Sequence, residues 1–487
     1  MLYYTRYEMI KHSYVGGGKR LQKKYYLILF ISLFLVPVTL FVIGFIKVHN
    51  SKIVTLTLWH NYGGQMKNTM DEMIQEFNET LGKKNHVYIS VTSISGSATL
   101  HEKLTMAANE VPGAPDLPDI TTAYPKTALQ LAKNDLLVNL DDYFSEQDLA
   151  KYISRFIEEG RILDEGLYVF PTAKSTEVLF LNRTIFDRFS KDTGVTIDDL
   201  KTFEGIMNTA AIYYEWTDQQ TPDIDNDGKS FFLPDSLFHY TYIGAKQLGG
   251  DFIQGNEFNF EDDRIKKIWE LYYESAVLGH TAIYDGYASN LERTGDVICS
   301  TGSTAGVLFF PDTVTYQDNT SEKVELTILP YPLFEGGKKI AAQRGAGMSV
   351  LKSDPKKEEL AVLFLDWFTL PENNLRFVSS TGYLPVTKEA YGDIMLKEIE
   401  EVSDPNIKEL MQVVREMQML YDYDTPPLFD KIDELQEDYE NELFRMAAES
   451  RAQLISLTKK MEASKALSYL LDDAYEEFKT RFDFHSN

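Results

Sequence analysis

Ile53-Val54-Thr55-Leu56-Thr57-Leu58-Trp59-His60 runs into Asn61-Tyr62-Gly63-Gly64, and Met66, Met70, Met73, Ile74 and Phe77 follow at helical spacing. The first eight residues alternate apolar side chains with β-branched or polar ones, a strand pattern. The paired glycines supply a turn, and apolar residues three or four apart give one sticky face of a helix. A second strand pattern, Val87-Tyr88-Ile89-Ser90-Val91, comes next. Pro118-Asp119-Ile120 opens a third, ahead of a helical stretch at 127–133. Strand and helix in alternation predict an α/β lobe with a largely parallel sheet. Ligands of such sheets lie beyond the carboxyl ends of the strands, which puts residues 59–64, 93–97 and 121–126 on one rim.

Upstream of this lobe, residues 25–46 carry no charged side chain. At ~1.5 Å per residue they would span about 33 Å as a helix, enough to cross a bilayer. Arg6, Lys11, Lys19, Arg20, Lys23 and Lys24 precede the stretch, and only Lys47 and Lys52 follow it closely. The positive-inside rule therefore predicts a cytoplasmic tail at 1–24, a transmembrane anchor at 25–47, and the bulk of the chain on the extracytoplasmic face of the cell membrane. A cleaved signal peptide is the competing reading. It would have a shorter apolar core and a small-x-small exit, whereas the exit here is Gly44-Phe45-Ile46-Lys47-Val48. No cysteine stands there to carry a lipid.

Downstream, 166–171, 178–182 and 324–329 read as extended, 203–300 as mainly helical and 358–370 as a helix, and the last hundred residues are acidic and helical. The 487 residues, 44% apolar, suffice for two lobes with separate cores. A formal net charge of −26 opposes nucleic-acid binding. One cysteine, Cys299, excludes an internal disulfide and a Cys-based zinc cluster. No nucleophile elbow, P-loop or HExxH motif is present, so binding without chemistry is the expected role. A glycoside-acting enzyme with two carboxylates is the enzymatic alternative, but no catalytic motif surrounds any of the 74 acidic residues.

Several fragments stand in a recognisable order. They are Leu58-Trp59-His60-x-x-Gly63-Gly64, Pro118-Asp119-Ile120, Leu136-Leu137-Val138-Asn139-Leu140, and Tyr168-x-Phe170-Pro171 followed by Leu179-Phe180-Leu181-Asn182. Gly302-Ser303, Ile328-Leu329-Pro330, Gly345-x-Gly347 and Thr381-Gly382-Tyr383-Leu384-Pro385-Val386 continue the series. Over residues 53–390 the chain resembles family 1 of the bacterial extracellular solute-binding proteins, the substrate-binding proteins of ABC importers that include maltose and glycerol-3-phosphate binders. The resemblance implies a two-lobed, periplasmic-binding-protein-like α/β fold of type II that closes on a hinge over a small solute. It implies lobe one at 53–170 plus 330–360 and lobe two at 171–328 plus 365–487, with crossings near 170–176, 329–332 and 360–370. It further implies a sugar, polyol or glycerophosphodiester as solute and permease subunits as partners. A sensory binding protein reporting to a membrane receptor would have the same lobes.

Carried over residue by residue, the resemblance points to Tyr124 on the rim, Ser175 and Thr176 at the first crossing, Ser303, Gly345 and Gly347, and Tyr383 as ligand-binding. A tyrosine can stack on a sugar ring, and hydroxyls suit polyols. A helix beginning at Gly302-Ser303 would offer an anion site, and Arg344 could pair with a phosphate or carboxylate. Each has a bland alternative: a packed loop aromatic, a turn or cap hydroxyl, a surface ion pair. The C-terminal arginine motif of the glycerol-phosphate binders is missing, although Arg415 and Arg445 are present, which counts against phosphate in the solute. Asp223-x-Asp225-x-Asp227-Gly228 matches the first half of a calcium loop. The acidic residue due at the twelfth position is Pro234, with Asp235 one place late, so an Asx-rich turn competes with calcium. No other cofactor is expected.

Overall fold

The computed structural model describes residues 52–487 apart from 95, 164–165, 225, 430 and 487. The expected tail and transmembrane anchor lie outside the described residues. Among the described residues no helix is long and apolar enough to cross a membrane.

Two four-stranded sheets organise the chain. Their strands, in sequence order, are β1 (Val54–His60), β2 (Val87–Ser93), β3 (Ile120–Ala123), β4 (Glu177–Asn182), β5 (Phe232–Leu233), β6 (Cys299–Ser303), β7 (Leu326–Leu329) and β8 (Gly347–Val350). The first sheet runs β8-β3-β1-β2 and the second β7-β4-β6-β5. β1 is parallel to β2 along its whole length and to β3 at Leu58–Ile120 and Trp59–Thr121, while β8 closes the edge antiparallel to β3. In the second sheet β4 is antiparallel to both β6 and β7, and β5 is parallel to β6. All six β4 residues are buried, as a strand covered on both faces requires.

The helices that position the junction are α1 (Gly64–Phe77), α2 (Ser97–Ala108), α3 (Pro125–Lys133), α4 (Leu237–Gln247), α5 (Asp263–Leu278), α6 (Pro355–Phe368), α7 (Pro371–Thr381), α8 (Ile432–Leu457) and α9 (Ala474–Ser486). α1 buries Met66, Met70, Met73, Ile74 and Phe77, the face read from the sequence. Pro125 starts α3 and Pro355 starts α6, where a missing N–H costs nothing, and the Asp354 carboxylate accepts the Lys356 and Lys357 amides.

Three strips of chain lie side by side where the lobes meet. Phe170 bridges Met348, Lys174 bridges Leu384, and Ser175 bridges Arg344. The Ser175 and Arg344 backbones exchange hydrogen bonds of 2.9 and 2.8 Å. One boundary differs from the sequence reading. Residues 371–381 were expected in lobe two, but α7 packs on α1: Phe377 meets Tyr62 at 5.4 Å and Arg376 bonds Glu76 at 2.6 Å. Phe364 of α6 meets Phe77 edge-on at 5.2 Å. α8 and α9 pack with the second sheet's helices instead, Tyr439 against Phe252 and Phe478 against Trp269. The last crossing therefore falls beyond Thr381, because aromatic pairing with α1 decides which lobe α6 and α7 cover.

Candidate functional site

A cavity of about 690 Å³ opens at this junction. Tyr124 and Lys126, at the start of α3, form one side, and His239 from α4 and Ser303 at the end of β6 form the other. Ser175, Arg344 and Gly345 make the floor, where the chain passes between lobes. Tyr383 and the segment 425–428 complete the wall. Tyr383 is fixed from behind: its ring stacks on Phe377 at 6.2 Å and meets Tyr62 edge-on at 6.0 Å. Burial among these rings pushes its phenol pKa up, so it stays a neutral donor and acceptor.

The polar groups are tightly interlinked. Arg344 Nη1 is 2.9 Å from Glu177 Oε1 and also bonds Asp235. Burial opposes the charge on Arg344, but the Asp235 and Glu177 carboxylates outweigh it and hold the guanidinium above its ordinary range. Glu177 is 1% exposed. Burial pushes its pKa up, and His239 and Arg344 together bring it below the usual value. His239 Nδ1 lies 3.1 Å from Glu177 Oε1, close enough for a strong electrostatic contact although off the line of a good hydrogen bond. Lys174 Nζ, 2.8 Å from Glu159 and 2.7 Å from the Gly345 carbonyl, ties the first crossing to the return strand. Gln343 donates to Glu159 and, at 3.2 Å, to the Arg155 carbonyl. Lys126 bonds Asp433 in the first turn of α8, a contact from one lobe to the other.

The family model of the bacterial extracellular solute-binding proteins matches residues 72–408. The chain belongs to that family. The sn-glycerol-3-phosphate-binding periplasmic protein UgpB of Shigella flexneri serotype 5b is 23% identical over 360 residues, covering 70% of this chain and 76% of that one. Among solved structures, the cyclic α-maltosyl-1,6-maltose-binding protein of Arthrobacter globiformis superposes with a TM-score of 0.63 at 17% identity, over 88% of this chain and 99% of that one. UgpB of Mycobacterium tuberculosis, in complex with glycerophosphocholine, gives a TM-score of 0.62 at 16% identity over 88% and 98%. At these identities the structures share the two-lobed fold.

In this solute-binding protein six residues singled out in the sequence line the cavity: Tyr124, Ser175, Ser303, Arg344, Gly345 and Tyr383. Thr176 and Gly347 do not. The Thr176 hydroxyl donates to the Ala342 carbonyl at 2.8 Å and is wholly buried. Gly347 is needed for packing, since a Cβ there would sit 2.4 Å from the Phe170 carbonyl oxygen. Gly345 has φ +95° and its Cβ would meet the Ser175 nitrogen at 2.9 Å, so its freedom serves the lobe crossing. The expected helix N-terminus at Gly302-Ser303 is corrected: Ser303 ends β6, a 3-10 turn (Thr304–Phe309) follows, and the Thr304 amide already donates to the Thr176 carbonyl at 2.9 Å. Trp59 and His60 are buried away from the cavity; burial lowers the His60 pKa to about 4.

Lys126, at the end of the 121–126 rim, lines the solute-binding protein's cavity, and so do His239, Gln343, Glu159 and Asp433, which went unread in the sequence. His239 sits in an aromatic helix that reads as core, and no local motif marks any of them. Of the candidate calcium loop, Asp225 lies outside the described residues. Asp227 accepts the Thr221 hydroxyl at 2.6 Å, and its amide donates to Asp218 at 2.7 Å, a hydrogen-bonded turn. Among the described residues no three His, Cys, Asp or Glu side chains stand together to hold a metal.

Proposed function

We propose that this protein is the extracytoplasmic solute-capturing component of an ABC importer, tethered at the cell membrane by residues 25–47, and that it closes its two lobes over a carbohydrate or glycerol-phosphate-like solute. The observation that carries this reading is the cavity of about 690 Å³ at the lobe junction. It lies in the size range of small-ligand sites. Tyr124 and Tyr383 offer ring faces for stacking, and Ser175 and Ser303 offer hydroxyls to a polar solute. Segments from both lobes meet there, so hinge closure would enclose a ligand that bridges them. The names of the relatives, which bind maltosyl sugars, sn-glycerol 3-phosphate or glycerophosphocholine, support the same solute classes.

Thermal unfolding of the full chain in detergent, titrated with maltose, mannotriose, cycloalternan, sn-glycerol 3-phosphate and glycerophosphocholine, tests the reading. At least one solute raises the melting temperature as mass action requires, and comes back unchanged. No stabilisation by any of them, or steady release of a hydrolysis product, overturns it.

A further inference from the structure

The chain carries a formal charge of −26, yet one end of lobe one is basic. Lys83 and Lys84 follow the helical turn Asn78–Gly82, and the residues after them hold the start of β1. The Val54 amide donates to the His86 carbonyl at 2.8 Å, and Val54 pairs with Val87 and Thr55 with Tyr88. Lys52 and Ile53 therefore lie beside residues 83–86, at the end of the sheet where β1 and β2 begin. The ammonium groups of Lys52, Lys83 and Lys84 are exposed and make no ion pair or hydrogen bond among the described residues. Over residues 52–60 and 78–93 these three lysines stand against one carboxylate, Glu79, which accepts from the Gln75 side chain at 2.8 Å. Carboxylates of adjoining segments have basic partners of their own: Glu76 with Arg376 at 2.6 Å, Asp119 with Lys357 at 2.9 Å and Glu359 with Lys356 at 3.2 Å. Two large apolar side chains stand out of the same end, Ile53 at 63% exposure and Tyr88 at 52%.

Chain length says what this end faces. Residues 25–46 carry no charge, and six peptide steps separate Ile46 from Lys52. Fully extended, six steps reach about 20 Å. With residues 25–46 set across a bilayer, Lys52 stays within about 20 Å of the lipid surface. Lysines that come to an anionic surface from within that reach are held by it, and exposed tyrosine settles at headgroup level. The molecule as a whole is strongly acidic and is repelled by the same surface, so charge turns this end inward. The cleft lies at the other end of the strands. β1 runs from Val54 to His60, a rise of ~20 Å, and β3, parallel to it, leads to Tyr124 in the cavity wall.

We propose that the end of lobe one built by Lys52, Ile53, Lys83, Lys84 and Tyr88 is a membrane-docking surface. The three lysines meet the phosphates of an anionic phospholipid bilayer, and Ile53 and Tyr88 enter its headgroup layer. This rests on the reading of residues 25–47 as a membrane tether and adds a second contact to it. The docked lobe stands on the bilayer with the cleft on its far side, open to solute.

Tryptophan quenching on the full chain, reconstituted into phosphatidylcholine vesicles with and without phosphatidylglycerol, tests the docking. Both vesicle types carry a trace of lipid with a nitroxide on its headgroup as quencher. Tyr88→Trp reports from the basic end, and Tyr469→Trp, at a residue 70% exposed on the helix Ala463–Leu471, reports from lobe two. The wild type, with four native tryptophans, gives the background. The expected result is strong quenching of Tyr88→Trp in the vesicles with phosphatidylglycerol, weak quenching in those without it, and little of Tyr469→Trp in either. High salt reverses the quenching. Lys52→Gln, Lys83→Gln and Lys84→Gln, combined in the Tyr88→Trp chain, do the same, each lowering the ratio of docked to undocked chains about fivefold. An unchanged melting temperature shows that the combined variant folds, and the salt series serves without it. Equal quenching of Tyr88→Trp in the two vesicle types, or quenching indifferent to salt and to the lysines, overturns the docking surface. Failure of the wild type to float with either kind of vesicle overturns the tether beneath it, a result distinct from the other two.

Discussion

Arg344 and Glu177 stand 2.9 Å apart across the floor of the cleft, on segments 167 positions apart in the chain. One side chain of the pair is almost wholly buried and the other is 29% exposed. Removing one partner of such a pair leaves a carboxylate in a dry site. Arg344→Met is expected to destabilise the protein by about 3 kcal/mol in urea unfolding. Adding Glu177→Gln to it should restore much of the loss, because the stranded charge is then gone. Additive losses in the double variant would show that the two residues act independently.

Lys126 and Asp433 form a different kind of pair. Their side chains are 41% and 51% exposed, so folding gains under about 1 kcal/mol from them. Yet Lys126 belongs to α3 in the first lobe and Asp433 to α8 in the second, and breaking the contact acts on lobe closure. Asp433→Asn should leave urea unfolding nearly unchanged while solute release in stopped flow speeds up about threefold, an order-of-magnitude expectation for one exposed ion pair. The difference from wild type should shrink as salt screens the pair. Release at the wild-type rate would mean that the contact does not hold the cleft shut.

What was legible in the sequence was local. β1, α1 and β2 follow from side-chain period alone, and their order fixes a parallel sheet with its ligand rim at the strand ends. Tyr124, Ser175, Ser303, Arg344 and Tyr383 come from segments far apart in the chain, and only an ordered resemblance could bring them together. Residues that matter through their neighbours stayed hidden. His239 looks like any polar residue in an aromatic helix until Glu177 is seen beneath it. The lobe of α7 was misjudged because an amphipathic helix declares that it covers a core, and contact with Tyr62 and Glu76 declares which one. Thr176 was carried over from the resemblance as a ligand group, but its hydroxyl donates to the Ala342 carbonyl.

Glu292 gives the protein a pH dependence. It is 3% exposed, and among the described residues its carboxyl makes one hydrogen bond, accepted from the Ser300 hydroxyl at 3.0 Å. Burial pushes its pKa from 4.5 to about 8, against the pull of that hydroxyl. Between those values the folded chain holds a proton that the unfolded chain has lost. The stabilisation is thus complete below pH 4.5, declines as pH climbs, and is gone above about 8. Glu292→Gln removes the titration and keeps a hydrogen-bonding group of the same shape. Its melting temperature should match the wild type near pH 5 and exceed it at pH 8, by a stability of a few kcal/mol. Parallel profiles for the two proteins would refute the assignment.

Gly347 limits how closely β8 can approach the first crossing. Phe170 and Met348 exchange backbone hydrogen bonds of 2.8 and 2.9 Å, which pulls the two segments together until no side chain fits at 347. A Cβ there would lie 2.4 Å from the Phe170 oxygen and 2.6 Å from Val169 Cγ1. Backbone cannot step aside as a flexible side chain can, so Gly347→Ala should cost roughly 2–3 kcal/mol, the range for overpacking a tight site. Gly306→Ala is the matched control, since its nearest neighbour would be a Phe310 ring carbon at 3.9 Å. Because the strained contact lies at the lobe junction, Gly347→Ala should also weaken solute binding, by shifting the crossing strands that carry Ser175 and Arg344. Equal, small effects of the two substitutions on urea unfolding would show that the junction is looser than this packing implies.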